Sequence, residues 1–206
     1  MDLKSLTAAS RRNQEAIRTA GFSLLELIIS ISLLSLLMAA VFDTVWRVEK
    51  GYSHEKRVSA MQENQRYAME MITRALRNAG NNPEGIAVDK VDLDPDGNGQ
   101  KDSIRIQSDC NPPDGDIADS EEDVLFRVSG NSLLYRDGPP GSTETSIADN
   151  VQSLLFAAFD DQGNATTNVD LMSAIVITLT ATTERRSLQT GAARTQTLTA
   201  TVNLRM

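Results

Sequence analysis

Hydrophobic and polar residues divide the chain into three regimes. Residues 21–42, GFSLLELIISISLLSLLMAAVF, are apolar except for Glu26 and the serines Ser23, Ser30, Ser32 and Ser35. The 21 residues from Phe22 to Phe42 would span, as a helix rising about 1.5 Å per residue, roughly 30 Å, the thickness of a bilayer's hydrocarbon core. A secretory signal core holds only about 7 to 15 apolar residues, so this run is too long for one and reads as a membrane-spanning helix. A carboxylate inside lipid costs a few kcal/mol, which makes Glu26 a residue in need of a partner.

The second regime is amphipathic. Val58, Met61, Ala68, Ile72, Ala75, Leu76 and Ala79 recur at spacings that put them on one helix face. Glu63, Glu70, Arg74 and Arg77 fall mostly elsewhere, and Glu70 with Arg74 forms an i,i+4 pair. No proline interrupts residues 22–79, and Gly80-Asn81-Asn82-Pro83 stops the pattern. One long helix is therefore expected over 22–79, with Gly51 as the place where it is interrupted or bent. Trp46 and Tyr52 lie just past the apolar run, where interfacial aromatics belong, although ordinary packing explains them as well.

The third regime is loop and strand. Residues 81–123 are rich in Asp, Asn, Gly and Pro, with one strand expected at 103–107. Strands at 124–128 and 132–136 flank the turn signal Ser129-Gly130-Asn131 and predict a hairpin. Residues 151–159, 174–182 and 195–204 are further strands, the last two alternating well and spaced for antiparallel pairing. A long N-terminal helix followed by a small antiparallel β-sheet is an α+β architecture.

Charge sharpens this picture. The 206 residues carry a formal net charge of −8. Residues 1–21 hold Lys4, Arg11, Arg12 and Arg18 against Asp2 and Glu15, a net of +2, so a chain beginning at Phe22 carries −10. The basic segment marks the cytoplasmic side of the span. The acidity of the remainder argues against a nucleic-acid partner, which needs a basic patch. Cys110 is the single cysteine, so no internal disulfide closes a loop.

Gly21, then Phe22-Ser23-Leu24-Leu25-Glu26, then an unbroken apolar helix, resembles the class III signal of type IV pilin-like proteins. The resemblance implies that a prepilin peptidase cuts after Gly21 on the cytoplasmic side. It also implies that the new N-terminus, Phe22, is methylated, and that Glu26 meets the N-terminal amine of a neighbouring pilin during assembly. A buried Glu gains most from such a partner and is costly without it. The implied localisation is the bacterial inner membrane, with the C-terminal domain periplasmic, and then a filament. The implied fold is pilin-like.

A finer resemblance covers most of residues 21–182. The segments MQENQRYAMEMITRALRNAG, DSIRI, VLFRVSGNSLLYRDG, IADNVQSLLFAAFDDQGN and AIVITLTATT look like the PilW-like minor pilins. They are also similar to the J-type minor pseudopilins of type II secretion, which share the Arg-Ala-Leu-Arg at the helix end. On this resemblance the chain divides into a removed leader (1–21), a membrane or filament-core half-helix (22–42), an amphipathic half-helix (43–80), an acidic loop region (81–123) and a sheet domain (124–206).

Two acidic loops are candidate calcium sites. In the first, Asp94, Asp96, Asn98 and Asp102 fall at positions 1, 3, 5 and 9 of an EF-hand loop, with Gly99 at 6 and the carbonyl of Gln100 at 7. Position 12, normally a bidentate Glu, is Arg105, so a further ligand must come from elsewhere, and Asp92 is nearest. In the second, Glu121 at position 12 puts Gly115 at 6 and Asp114 at 5, while Asn111 and Asp109 match only with one residue inserted; Asp116 completes the set. Calcium at one or both loops would pin a long segment that has no disulfide. Solvated acidic turns are the competing reading, since Asp, Asn and Gly are good turn residues.

No nucleophile elbow, zinc-binding His pair or phosphate-binding glycine loop is present, and the single histidine, His54, sits on the helix past the apolar run. The sequence therefore predicts no enzyme. The resemblance implies a minor pilin that works in pilus assembly. A minor pseudopilin of type II secretion is the close alternative. A membrane-anchored calcium-binding module that does not polymerise is the alternative of another class.

Overall fold

The computed structural model describes residues 22–110, 112–183 and 193–204. The chain divides into two units, residues 1–51 and 52–206. One helix, α1 (Leu24–Asn78), contributes to both. The N–H of Leu27 donates to the Ser23 carbonyl at 3.1 Å, which makes Ser23 the capping residue. The helix runs unbroken through Gly51, contrary to the expected interruption. A helical glycine costs up to about 1 kcal/mol relative to Ala, too little to break a helix with continuous hydrogen bonding on both sides. It stops where expected: Gly80 takes the left-handed φ of 70° that ends a helix, and its N–H donates to the Gln107 carbonyl at 2.9 Å.

Among the described residues of the first unit, no other element packs against α1. Every described residue from Phe22 to Glu49 is exposed. Three of its hydroxyls are satisfied from within: those of Ser32, Ser35 and Thr44 donate to the carbonyls of Ile28, Ile31 and Ala40, each one turn back.

The second unit holds the C-terminal part of α1 and two antiparallel sheets rather than one. The first sheet has the order β1 (Val91–Asp92), β2 (Ser103–Gln107), β3 (Asp123–Ser129), β4 (Ser132–Asp137) and β5 (Glu144–Asp149). The second has the order β6 (Val151–Phe159), β7 (Ala174–Thr182) and β8 (Thr195–Asn203). The hairpin β3–β4 forms about Gly130, at φ 63°, and β7 pairs with β8 from Ala174↔Asn203 to Thr182↔Thr195. The chain changes sheets at Asn150, which takes φ 63°, a value Asn tolerates better than most residues.

The core forms where the amphipathic helix face meets both sheets. Ala68, Ile72 and Leu76 are fully buried with Ile104, Phe126, Leu133, Leu154, Ile175, Ile177 and Leu179. Burying each of the larger side chains stabilises the fold by about 1.5–3 kcal/mol. The face passes through Gln65, which fills the gap in the apolar series between Met61 and Ala68. Its side-chain amide donates to the Gln196 carbonyl on β8 at 3.0 Å, tying helix to sheet. Arg74 does not pair with Glu70 as the i,i+4 spacing suggested. Its guanidinium reaches Glu121, 3.3 Å away, because the loop before β3 lies over that side of the helix.

Candidate functional site

Two features carry candidate chemistry: the start of α1 and the acidic loops. Gly21 lies outside the described residues. Phe22 and Ser23 precede α1, and Glu26 stands exposed in its first turn, four residues after Phe22. There the unpaired N–H groups and the helix dipole favour a negative charge. From Phe22 to Phe42 Glu26 is the single ionisable side chain. The surrounding surface is Leu, Ile, Met, Val and Phe, with Leu24 76% and Phe42 70% exposed. Leaving that many large apolar side chains in water is unfavourable by about 1.5–3 kcal/mol each, so this surface requires lipid or other apolar helices against it. The helix meets the length and hydropathy of a membrane span, with none of its most apolar window buried.

The first acidic loop closes on Asp94, whose carboxylate accepts the N–H groups of Asn98 and Gly99, both at 2.9 Å. Gly97 and Gly99 take left-handed φ values of 67° and 78° to make that closure. The Asn98 side-chain amide donates to Asp96 at 2.7 Å and lies 3.4 Å from Asp102, while its oxygen accepts the Gln100 N–H at 2.6 Å. Asp94, Asp96, Asn98 and Asp102 are thus brought together, with an amide donor between two of the carboxylates. Asp92 accepts the Asp94 N–H at 3.0 Å. Arg105, at the twelfth position, is turned to Asp123 at 2.8 Å. That hydrogen bond is the main reason its pKa is raised further, and Arg105 supplies no ligand oxygen.

The second loop is organised by two buried carboxylates. Asp109 accepts the N–H groups of Asp114 at 3.1 Å and Gly115 at 3.2 Å. Glu122 accepts those of Cys110 at 2.9 Å and Asp119 at 3.3 Å. Asn111 lies outside the described residues. Glu121 is not brought to the loop's acids: at φ 70° its N–H donates to Asp137 at 2.7 Å and its carboxylate pairs with Arg74. Asp114, Asp116 and Asp119 do converge, with carboxylate oxygens within 4.8 Å of one another. Among the described residues this is the one cluster of His, Cys, Asp or Glu with metal-ligand spacing. Partial burial, and then the charges of Asp114, Glu122 and Asp116, push the Asp119 carboxyl above its ordinary value.

Residues 17–42 match the family model described as the prokaryotic N-terminal methylation motif. The match covers Gly21, Phe22 and Glu26 and ends at Phe42, where the apolar run ends. That motif, at the head of a long apolar helix, supports a type IV pilin-like protein. No curated protein matches it. The chain combines a prepilin-type methylation motif, one helix of membrane-spanning length among the described residues and a C-terminal unit of helix and antiparallel sheets.

Two structural features of the acidic loops were not legible in the sequence. Asp119 belongs to the carboxylate cluster, but the EF-hand template assigned Glu121 in its place. The short-range series Asp114-x-Asp116-x-x-Asp119 was the available signal. Glu122 and Asp109 accept backbone N–H groups, and no local pattern distinguishes such acids from solvated ones.

Proposed function

We propose that this chain is a minor pilin of the PilW-like kind that works in pilus assembly. The observation that carries the reading is the apolar run of α1, exposed from Phe22 to Phe42, with Glu26 as its lone charge one turn from Phe22. In lipid such a helix is stable as an anchor. In a filament core, neighbouring helices replace the lipid, and Glu26 gains the N-terminal amine of an adjacent subunit as its partner. A prepilin peptidase cuts after Gly21, Phe22 becomes the methylated N-terminus, and the acidic C-terminal unit stands on the periplasmic side. Its work is assembly rather than catalysis. A minor pseudopilin of type II secretion would use the same helix in the same way.

Intact-mass measurement from cells with and without a prepilin peptidase tests the processing. The expected product begins at Phe22, carries one methyl group and depends on the peptidase; an unprocessed chain in both strains overturns the pilin role. Glu26→Ala is expected to leave cleavage intact and to reduce incorporation into sheared filaments, and normal incorporation removes the assembly role of Glu26. Loss of pili with secretion intact separates pilus from secretion system.

Calcium at the second loop is a further reading, favoured by the convergence of Asp114, Asp116 and Asp119. Three carboxylates supply hard oxygens of the kind Ca2+ takes, and backbone carbonyls and water would complete a shell of six to eight. The ion would relieve the mutual repulsion that, after burial, adds to the raised Asp119 pKa.

A further inference from the structure

The apolar run ends at Phe42, and the next two turns of α1 carry four charges and the single tryptophan: Asp43, Trp46, Arg47, Glu49 and Lys50. Two contacts here run backwards along the helix. The Arg47 guanidinium pairs with Asp43 at 2.9 Å, and the Lys50 ammonium lies 2.9 Å from the centre of the Trp46 ring. Both are i to i−4 contacts, following the tilt of helical side chains towards the N-terminus. At this end of the span, that tilt brings cationic tips back towards the apolar run.

Distance gives this geometry its meaning. Trp46 stands about 6 Å past the end of the run, and the Lys50 backbone about 12 Å past it. The headgroup layer on one side of a bilayer is roughly 5–8 Å thick. The indole therefore falls within that layer. The Lys50 backbone lies beyond it, and the side chain returns the ammonium to the level of the ring. Trp46 is 59% exposed, so apart from the Lys50 stack most of its surface is open to lipid. Asp43 neutralises Arg47, and Glu49 neighbours Trp46 at i+3, so the collar has no net charge. What it offers a membrane is a flat amphipathic ring with a cation stacked on it, and not a general positive field.

We propose that Trp46 and Lys50 form an interfacial anchor that binds phospholipid phosphate where α1 leaves the bilayer and fixes the depth of the helix. The indole lies along the acyl–headgroup boundary, and a phosphate oxygen accepts from the Lys50 ammonium. Withdrawal of the helix from the membrane must break this contact. The proposal rests on α1 spanning a bilayer and holds for a pilus or a secretion system alike.

Because Trp46 is the single tryptophan, its fluorescence in the full-length chain reports on this site directly. The chain is reconstituted into phosphatidylcholine–phosphatidylglycerol vesicles whose acyl chains carry bromine at a shallow or a deep position. Shallow bromines are expected to quench Trp46 more than deep ones, with little quenching by aqueous iodide. Lys50→Ala is expected to lower the shallow-to-deep ratio about two-fold as the ring shifts by a few Å. Iodide quenching without bromine quenching would place Trp46 in water and overturn the anchor. An unchanged depth profile in Lys50→Ala would remove Lys50 from it. A chain that does not float with the vesicles would overturn the spanning helix, and the anchor with it.

Discussion

The carboxylate of Glu122 accepts the N–H of Cys110 across a loop of twelve residues, at 2.9 Å, and is itself fully buried. Its second oxygen accepts the N–H of Asp119 at 3.3 Å. Asp109 closes the other half of the loop, so two buried acids do here what a disulfide would do in a chain with paired cysteines. Glu122→Ala strands these N–H groups and is expected to lower stability by about 2–3 kcal/mol, the range for hydrogen bonds to a charged acceptor. Glu121→Gly, one residue earlier, is expected to stay within about 1 kcal/mol of the parent. There the relief of left-handed strain offsets the loss of an exposed ion pair and the added chain entropy. Denaturant unfolding of the two variants checks the contrast.

Gly80 ends α1 at φ 70°, and a Cβ built there would meet the Lys90 side chain at 2.7 Å. The lysine stem can move, but the left-handed backbone cannot. Gly80→Ala is expected to cost about 1–2 kcal/mol, the penalty for an L side chain in that region. A smaller loss, measured by thermal unfolding, would mean that the helix end rearranges.

Stability should fall at both ends of the pH scale for separable reasons. The Arg127 guanidinium, 2.7 Å from Glu144, holds that carboxyl below its ordinary value. The ionised form is favoured in the fold, so this contribution is complete above about pH 4.3 and is lost as pH falls through the lower folded value. Burial first, and then the charges of Asp137 and Glu121, push the Tyr135 phenol up to about 12. Its neutral form is favoured in the fold, so that contribution is complete below about pH 10 and is lost as pH rises towards the folded value. Glu144→Gln should flatten the acid limb and Tyr135→Phe the alkaline limb of stability measured against pH.

If the second loop binds calcium, saturating it to about a hundred times the dissociation constant should raise stability by about 2.7 kcal/mol. Asp119→Asn should abolish that increment while leaving the calcium-free protein as stable or more so, because it removes a crowded charge. Asp94→Asn and Asp96→Asn, in the first loop, should leave the increment in place. A calcium effect that follows Asp94 and Asp96 would move the site to the first loop, and no effect in any variant would leave both loops as turns.

The prepilin-type signal, the apolar helix and its end at Gly80 were legible in the sequence because each depends on neighbours along the chain: a run of one polarity, a carboxylate five residues after a glycine, a stop of Gly-Asn-Asn-Pro. The strands at 103–107, 151–159 and 174–182 appear with the expected bounds because alternation with period two is also local. β5 was invisible for the complementary reason. Its sequence Glu-Thr-Ser-Ile-Ala-Asp is polar, and it becomes a strand by pairing with β4 at the sheet edge, where little needs burying. β1, two residues long, is likewise made by β2. Tertiary structure alone decided that the strands divide into two sheets at Asn150, that Arg74 turns to Glu121, and that Glu122 is buried while Glu121 is exposed. Whether a carboxylate holds a backbone, faces a cation or meets water is set by groups far away in sequence, and no local pattern records their distance.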